Sequence, residues 1–150
     1  MLGLNSSNIS SKIPEGFDLL RGNSVSPRRL NRLLSRCNLD THQPKILELA
    51  LEKSDFYLTL VHKKSENLVG FVRVTSDKGL NANLWDLAAE PGNEQETYIT
   101  VIVFKAIEII RREMPGCSIS VAAPSISIKA LEANGFLLDP NGIKTMGFRL

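Results

Sequence analysis

Side chains able to do acid–base chemistry are few and widely spaced along the 150 residues. Asp86, directly after Trp85 in an otherwise apolar stretch, could take a proton from an incoming amine, directly or through water. The plainer alternative, which weighs more, is that its carboxylate bonds neighbouring backbone or Asn81 and merely shapes a strand. Trp85 reads as core or cleft wall. Tyr98 offers a hydroxyl, but at a helix start it is equally well a packing residue. His42 and His62 are the only imidazoles, the first at a helix start and the second before a charged turn. Cys37 and Cys117 lie far apart without C-x-x-C spacing, so neither a disulfide framework nor a metal site is expected. Ser125 and Ser127 read as helix-start residues and complete no Ser-His-Asp set. Arg28, Arg29, Arg32 and Arg36 stand at helical spacing and make a basic face. That face could meet an acidic protein partner or RNA, although a solvated face is the commoner reading of such a run. Nucleic acid is not expected, because no aromatic residues are interleaved for base stacking.

Composition sets the frame for these groups. An apolar fraction of 43% and a charged fraction of 23% are those of a globular protein of one domain. The net charge of +2 announces neither nucleic acid nor an acidic membrane surface. The polar start MLGLNSSNISSK lacks the apolar stretch of a secretory signal, and no apolar run approaches the roughly 18 residues that span a bilayer. A cytoplasmic setting is the expectation, with residues 1–12 a flexible arm and 13–150 a single domain.

The elements that must position the candidates follow from periodicity. Residues 17–21 can form a short strand. Ser26 with Pro27 behind it is a helix start, and Leu30, Leu33 and Leu34 supply the apolar stripe up to Cys37. A second helix opens at Thr41 or His42, with Pro44 early and Lys53 near its end. Runs of β-branched and aromatic residues at 56–61 and 68–74 read as a hairpin, and a third strand follows at 83–89. Ile99, Ile102, Val103, Ala106, Ile107 and Ile110, spaced by threes and fours, predict a helix over 97–114 despite its β-branched content. A short strand at 118–122, a helix at 125–134 closed by Gly135, and a final hairpin of 136–138 with 144–148 complete an α+β (mixed α/β) chain.

Three stretches carry a family resemblance: GFVRVTSDKGLNANLWDLAAEP at 70–91, the exit Asn134-Gly135-Phe136, and DPNGIKTMGF at 139–148. Together they resemble the GNAT superfamily of acetyl-CoA-dependent N-acetyltransferases, in particular its cyanobacterial and plastid branch related to plastid serotonin N-acetyltransferase. The last stretch is similar to an ending of DP, any residue, GIK, then M and F in those relatives. The resemblance implies the GNAT fold, a mixed and mostly antiparallel sheet of six to seven strands flanked by about four helices.

It also implies acetyl-CoA as cofactor and a place for it. Leu87, Ala88 and Ala89 correspond to the strand whose backbone bonds the pantetheine arm. The following loop and helix start, with Asn93, Gln95, Thr97 and Tyr98, would face the pyrophosphate. Counted from Pro91, however, Glu94 stands at the family's glutamine or arginine, Thr97 at its first glycine and Ile99 at its second small residue. Added β-carbons, with Glu90, Glu94 and Glu96 nearby, oppose a multiply charged anion through sterics and like charge. Leu131 occupies the position where many members carry a tyrosine that protonates the departing thiolate.

Two functions therefore compete. One is acetyl transfer from acetyl-CoA to the primary amine of a small molecule or protein, with Asp86 as the available base. The other is a catalytically inactive GNAT-fold protein that has lost acetyl-CoA binding and serves as an interaction, assembly or regulatory factor, with its arginine face as the contact. A homodimer is compatible with either.

Overall fold

The computed structural model describes residues 12–22 and 25–149, in the order β1 (Phe17–Arg21), α1 (Pro27–Arg36), α2 (Pro44–Lys53), β2 (Phe56–His62), β3 (Leu68–Ser76), β4 (Asn81–Ala89), α3 (Gln95–Glu113), β5 (Ser118–Val121) and α4 (Ile128–Ala133). The arm expected at 1–12 lies, except for Lys12, outside the described residues. No helix among the described residues is long and apolar enough to cross a membrane.

Local chemistry sets the helix starts. Ser26 Oγ accepts from the Arg29 amide at 3.1 Å, satisfying one orphan donor, and Pro27 fills the first helical position. Pro44 repeats the device for α2. α3 has many β-branched residues of modest helix propensity, so packing must hold it. It buries Ile99, Ile102, Val103, Ala106 and Ile110 against one face of the sheet.

The sheet order is β1-β2-β3-β4-β5, antiparallel from β1 to β4, with β5 added parallel to β4. α3 and α4 cover one face over a core that includes Leu58, Leu60, Val72, Val74, Leu84 and Leu87. α1 and α2 cover the other, where Leu30, Leu34, Leu47 and Leu51 meet Phe71 and Ala88. α3 settles closely on the first face because β3 offers Gly70 there. A Cβ at Gly70 would stand 2.3 Å from Ile102 Cδ1 and 3.2 Å from Leu60 Cβ.

Among the described residues the sheet has five strands, against the six to seven expected. Residues 136–138 and 144–148 form no hairpin. Asp139, Asn141 and Gly142 between them all have positive φ (45°, 56° and 74°), and the flanking segments pair with nothing. A two-stranded hairpin without a surface to pack on is marginal in water. Leu137, Leu138, Ile143, Met146 and Phe148 are accordingly left exposed. The helix expected at 125–134 is instead a 3₁₀ turn (Ser125–Ser127) leading into α4, with Gly135 at φ 90° closing it.

Candidate active site

Strand β4 breaks its alternation at Asp86. Arg73 pairs with Trp85 and Phe71 with Ala88, so β4 carries one residue more than β3 over this interval. The surplus is a β-bulge in which Asp86 takes φ 54°, a left-handed conformation that aspartate tolerates better than most residues. The bulge resets the phase of the strand. Ala82 and Leu84 before it and Leu87 and Ala89 after it all face the α3 core.

The bulge also places Asp86 beside Arg73. Arg73 Nε donates to Asp86 Oδ2 at 2.8 Å, and Arg73 Nη1 reaches Ser54 Oγ at 3.4 Å. Asp86 is therefore engaged through Oδ2 with a guanidinium rather than with Asn81. Trp85 keeps its ring partly exposed and donates Nε1–H to Thr75 Oγ1 at 2.7 Å. Arg73 was not singled out in the sequence. A charge inside the apolar run LVGFVRV was the signal, since a charge in such a strand needs a partner.

Beyond the bulge, β4 outruns its neighbour. β5 pairs with β4 only from Asn81↔Ser118 to Leu84↔Val121, so Trp85 to Ala89 has no strand on that side. The Glu90 amide donates to Val69 O at 2.8 Å, toward β3. Alternation then turns the Leu87 C=O and both backbone groups of Ala89 the other way, to the open side. Ala89 O accepts from Gln95 Nε2 at 2.9 Å and from Cys37 Sγ at 3.0 Å. The Leu87 C=O and the Ala89 N–H have no backbone partner from a loop or helix among the described residues. Leu87, Ala88 and Ala89 are buried as whole residues, backbone included, at 1%, 0% and 0% exposure, so a ligand would reach their backbone groups only by displacing what covers them.

After Glu90 the chain turns through Pro91 and Gly92, whose φ of 142° suits glycine. Glu94 is the N-cap of α3 and its side chain caps nothing. Asn93 and Thr97 are exposed at this end, whereas Ile99 points into the core at 0% exposure. The β-carbon at position 99 thus faces away from solvent, and Thr97 is the one that could crowd an approaching anion. Tyr98 packs on Phe17 with ring centroids 5.2 Å apart, directed toward the β1 side of the sheet and away from Asp86. Burial, with Glu94 and Glu90 nearby, holds its phenol above the usual value, so it stays protonated. Leu131 is buried in the α3 core.

The last turn of α1 closes on the exit of β4. Arg36 forms an ion pair with Glu90, and the Cys37 thiol donates to the Ala89 carbonyl. Burial pushes that thiol's pKa up, which suits a neutral donor. Arg29, Arg32 and Arg36 line a cavity here, while Arg28 lies outside it. Of the sequence candidates, the structure brings together Leu87, Ala88, Ala89 and Gln95, leaves Asn93 and Thr97 exposed at the adjoining helix start, and turns Asp86 to Arg73, which also reaches Ser54 at the end of α2. No three His, Cys, Asp or Glu side chains among the described residues are grouped to hold a metal ion.

An antiparallel sheet with one parallel strand diverging beside a bulged β4, and a long helix launched from the exit of that strand, is the fold of acyl-CoA N-acyltransferases. A solved Staphylococcus aureus protein of unknown function, described as a probable acetyltransferase, superposes with a TM-score of 0.79 at 17% identity, covering 89% of this chain and 99% of that one. Sequence relatives agree. An uncharacterized N-acetyltransferase ycf52 of Pyropia yezoensis is 33% identical over 104 residues, 68% of this chain and 59% of that protein. A GCN5-related N-acetyltransferase 1, chloroplastic, of Arabidopsis thaliana is 26% identical over 121 residues, 80% of this chain and 60% of its own length. The chain thus spans about three fifths of the curated relatives it matches. No family model matches it. In fold and in sequence the chain is thus similar to GNAT-superfamily N-acetyltransferases, with plastid-type relatives among them.

Proposed function

We propose that this chain is an acetyl-CoA-dependent N-acetyltransferase of slow turnover, acting on a primary amine, with the acyl carrier held along the open edge of β4. The reading rests on β4 continuing from Trp85 to Ala89 after its last pair with β5. A pantetheine arm carries two amides in an extended chain. The Leu87 C=O and the Ala89 N–H offer it one acceptor and one donor, as a sheet edge does for an added strand. Bound there, acetyl-CoA supplies an acetyl thioester open to direct attack by a neutral amine.

The chain's own groups position more than they catalyse. Gln95 fixes the Ala89 carbonyl, tying the end of β4 to the start of α3. Leu87 and Ala89 exclude water on the α3 side. Asp86 is held by Arg73, and position 131 offers no hydroxyl, so the amine proton passes to solvent and the thiolate leaves without a positioned acid. Loss of positioned proton transfer costs typically 10²- to 10⁴-fold in rate.

A binding-only scaffold is the second reading, favoured by Glu94 and Glu96 at the start of α3 and by the engaged carboxylate of Asp86. In it, the Arg28, Arg29, Arg32 and Arg36 face would meet an acidic protein. The chloroplastic name of one relative adds a plastid interior to the cytoplasmic setting expected from sequence. Calorimetric titration of the folded protein with acetyl-CoA separates the two. Binding in the micromolar range supports the transferase and justifies an amine screen, whereas no heat up to millimolar ligand leaves the scaffold.

A further inference from the structure

The arginines of α1 pose a physical problem that the proposed transferase does not by itself answer. Arg29, Arg32 and Arg36 stand at i, i+3 and i+7 on a helix with no acidic residue in its first turn. Neighbouring like charges on one helix face repel, and cations at a helix N-terminus oppose its dipole. The fold maintains this arrangement around a cavity of about 200 Å³ between α1 and the paired ends of β3 and β4, with Asn67 and Glu90 also in its lining. Pockets that engulf a drug-sized ligand run to roughly 300–1,000 Å³, so this one suits a compact group.

Its charge is unbalanced. Three guanidiniums face one carboxylate, Glu90, which Arg36 already holds. Arg29 is anchored at the rim by a hydrogen bond to the Glu66 carbonyl. Arg32, between them, is exposed and has no ion pair or side-chain hydrogen bond among the described residues. Two tethered guanidiniums flanking a free one are preorganised for an oxyanion with several oxygens, which the arginine fork binds in bidentate fashion. The place is equally specific. The Arg36–Glu90 pair and the Cys37–Ala89 bond fix the end of α1 at the exit of β4, close in sequence to the exposed Glu94 and Glu96 at the start of α3.

We propose that Arg29, Arg32 and Arg36 form a phosphoryl-anion site at the exit of β4, which takes the diphosphate of the acyl carrier in place of the loop amides. The assignment to the acyl carrier rests on the transferase reading, whereas the anion site stands on its own geometry. A diphosphate entering the cavity competes with Glu90 for Arg36, and because salt screens its attraction to these exposed guanidiniums its binding weakens as salt rises.

Calorimetric titration of the whole chain with inorganic pyrophosphate, CoA and pantetheine tests it, on the native protein, on Arg32→Gln and on Arg28→Gln. Arg28 is exposed on the same helix outside the cavity and reports the general charge effect. The expected result is pyrophosphate binding that Arg32→Gln weakens about tenfold and Arg28→Gln hardly changes. CoA should lose affinity in parallel, and pantetheine should show no dependence on Arg32. Absence of pyrophosphate binding, or equal losses in both variants, overturns the site. Pyrophosphate held through Arg32 with no binding of CoA keeps the anion site and removes the acyl-CoA reading. CoA bound with no dependence on Arg32 does the reverse.

Discussion

Arg73 Nε lies 2.8 Å from Asp86 Oδ2, across the one place where β3 and β4 fall out of register. The pair is mostly buried, with side-chain exposures of 18% and 24%, and it joins the residue that makes the bulge to the strand the bulge distorts. The left-handed turn at Asp86 and the open edge beyond it are thereby held by one ion pair.

Removing that carboxylate should loosen the bulge. Asp86→Ala should cost about 1–3 kcal/mol in urea unfolding, because it leaves the Arg73 guanidinium without its partner and places alanine at φ 54°. Asp86→Asn should cost less, since asparagine tolerates that conformation and can still accept from Arg73. A loss below about 0.5 kcal/mol in Asp86→Ala would show that the pair does not hold the strand.

At the far edge of the sheet, both Nη atoms of Arg21 contact the Glu113 carboxylate at 2.6 Å, fastening β1 to the end of α3. Hydrogen bonds from Arg21 and Arg112 lower the Glu113 pKa from 4.5 to about 2. A carboxylate whose folded pKa is depressed adds stability above its unfolded pKa and loses it as pH falls through the folded value. The native protein should therefore exceed Glu113→Gln in stability at neutral pH. The gap should close between pH 4.5 and about 2, as read by thermal unfolding across that range.

Gly70 sets how closely α3 approaches the sheet. Gly70→Ala should destabilise by about 1–3 kcal/mol through overpacking against Ile102 and Leu60. Because the 2.3 Å conflict is with Ile102 Cδ1, the double variant Gly70→Ala with Ile102→Val should recover part of the loss. An additive double variant in denaturant unfolding would contradict this contact.

The segment after α4 should contribute little to stability. Met146 and Phe148 are 92% and 90% exposed, so Met146→Lys and Phe148→Lys should each shift unfolding by no more than about 0.5 kcal/mol. A loss of several kcal/mol would mean that the tail packs as the hairpin its alternation suggests.

Most of the scaffold was legible because its signals are local. Ser26 with Pro27, and Pro44, mark helix starts through capping chemistry that needs no tertiary partner. The three-four spacing of Ile99, Ile102, Val103 and Ala106 outweighed their strand propensity, because burial on one face stabilises a helix more than propensity opposes it.

The site was less legible. Ala82, Leu84, Leu87 and Ala89 are spaced by two, three and two, which is the trace of a bulge, but the trace is clear only once β3 supplies the register. The partner of Asp86 could not be read, since Arg73 is brought opposite by strand pairing thirteen residues away. Sterics at Ile99 were misjudged for the same kind of reason: its helical phase sends the side chain into the core instead of the loop. The final hairpin failed because alternation states only which face a strand would bury. No surface receives residues 144–148.

Amide hydrogen exchange at Ala89, followed by NMR with and without saturating acetyl-CoA, tests the open edge of β4 most directly. If that edge holds the acyl carrier, the Ala89 amide, which no loop or helix carbonyl receives among the described residues, should slow at least tenfold while the Glu90 amide, already bonded to Val69, changes little. Unchanged exchange at Ala89 under saturating acetyl-CoA would contradict the assignment.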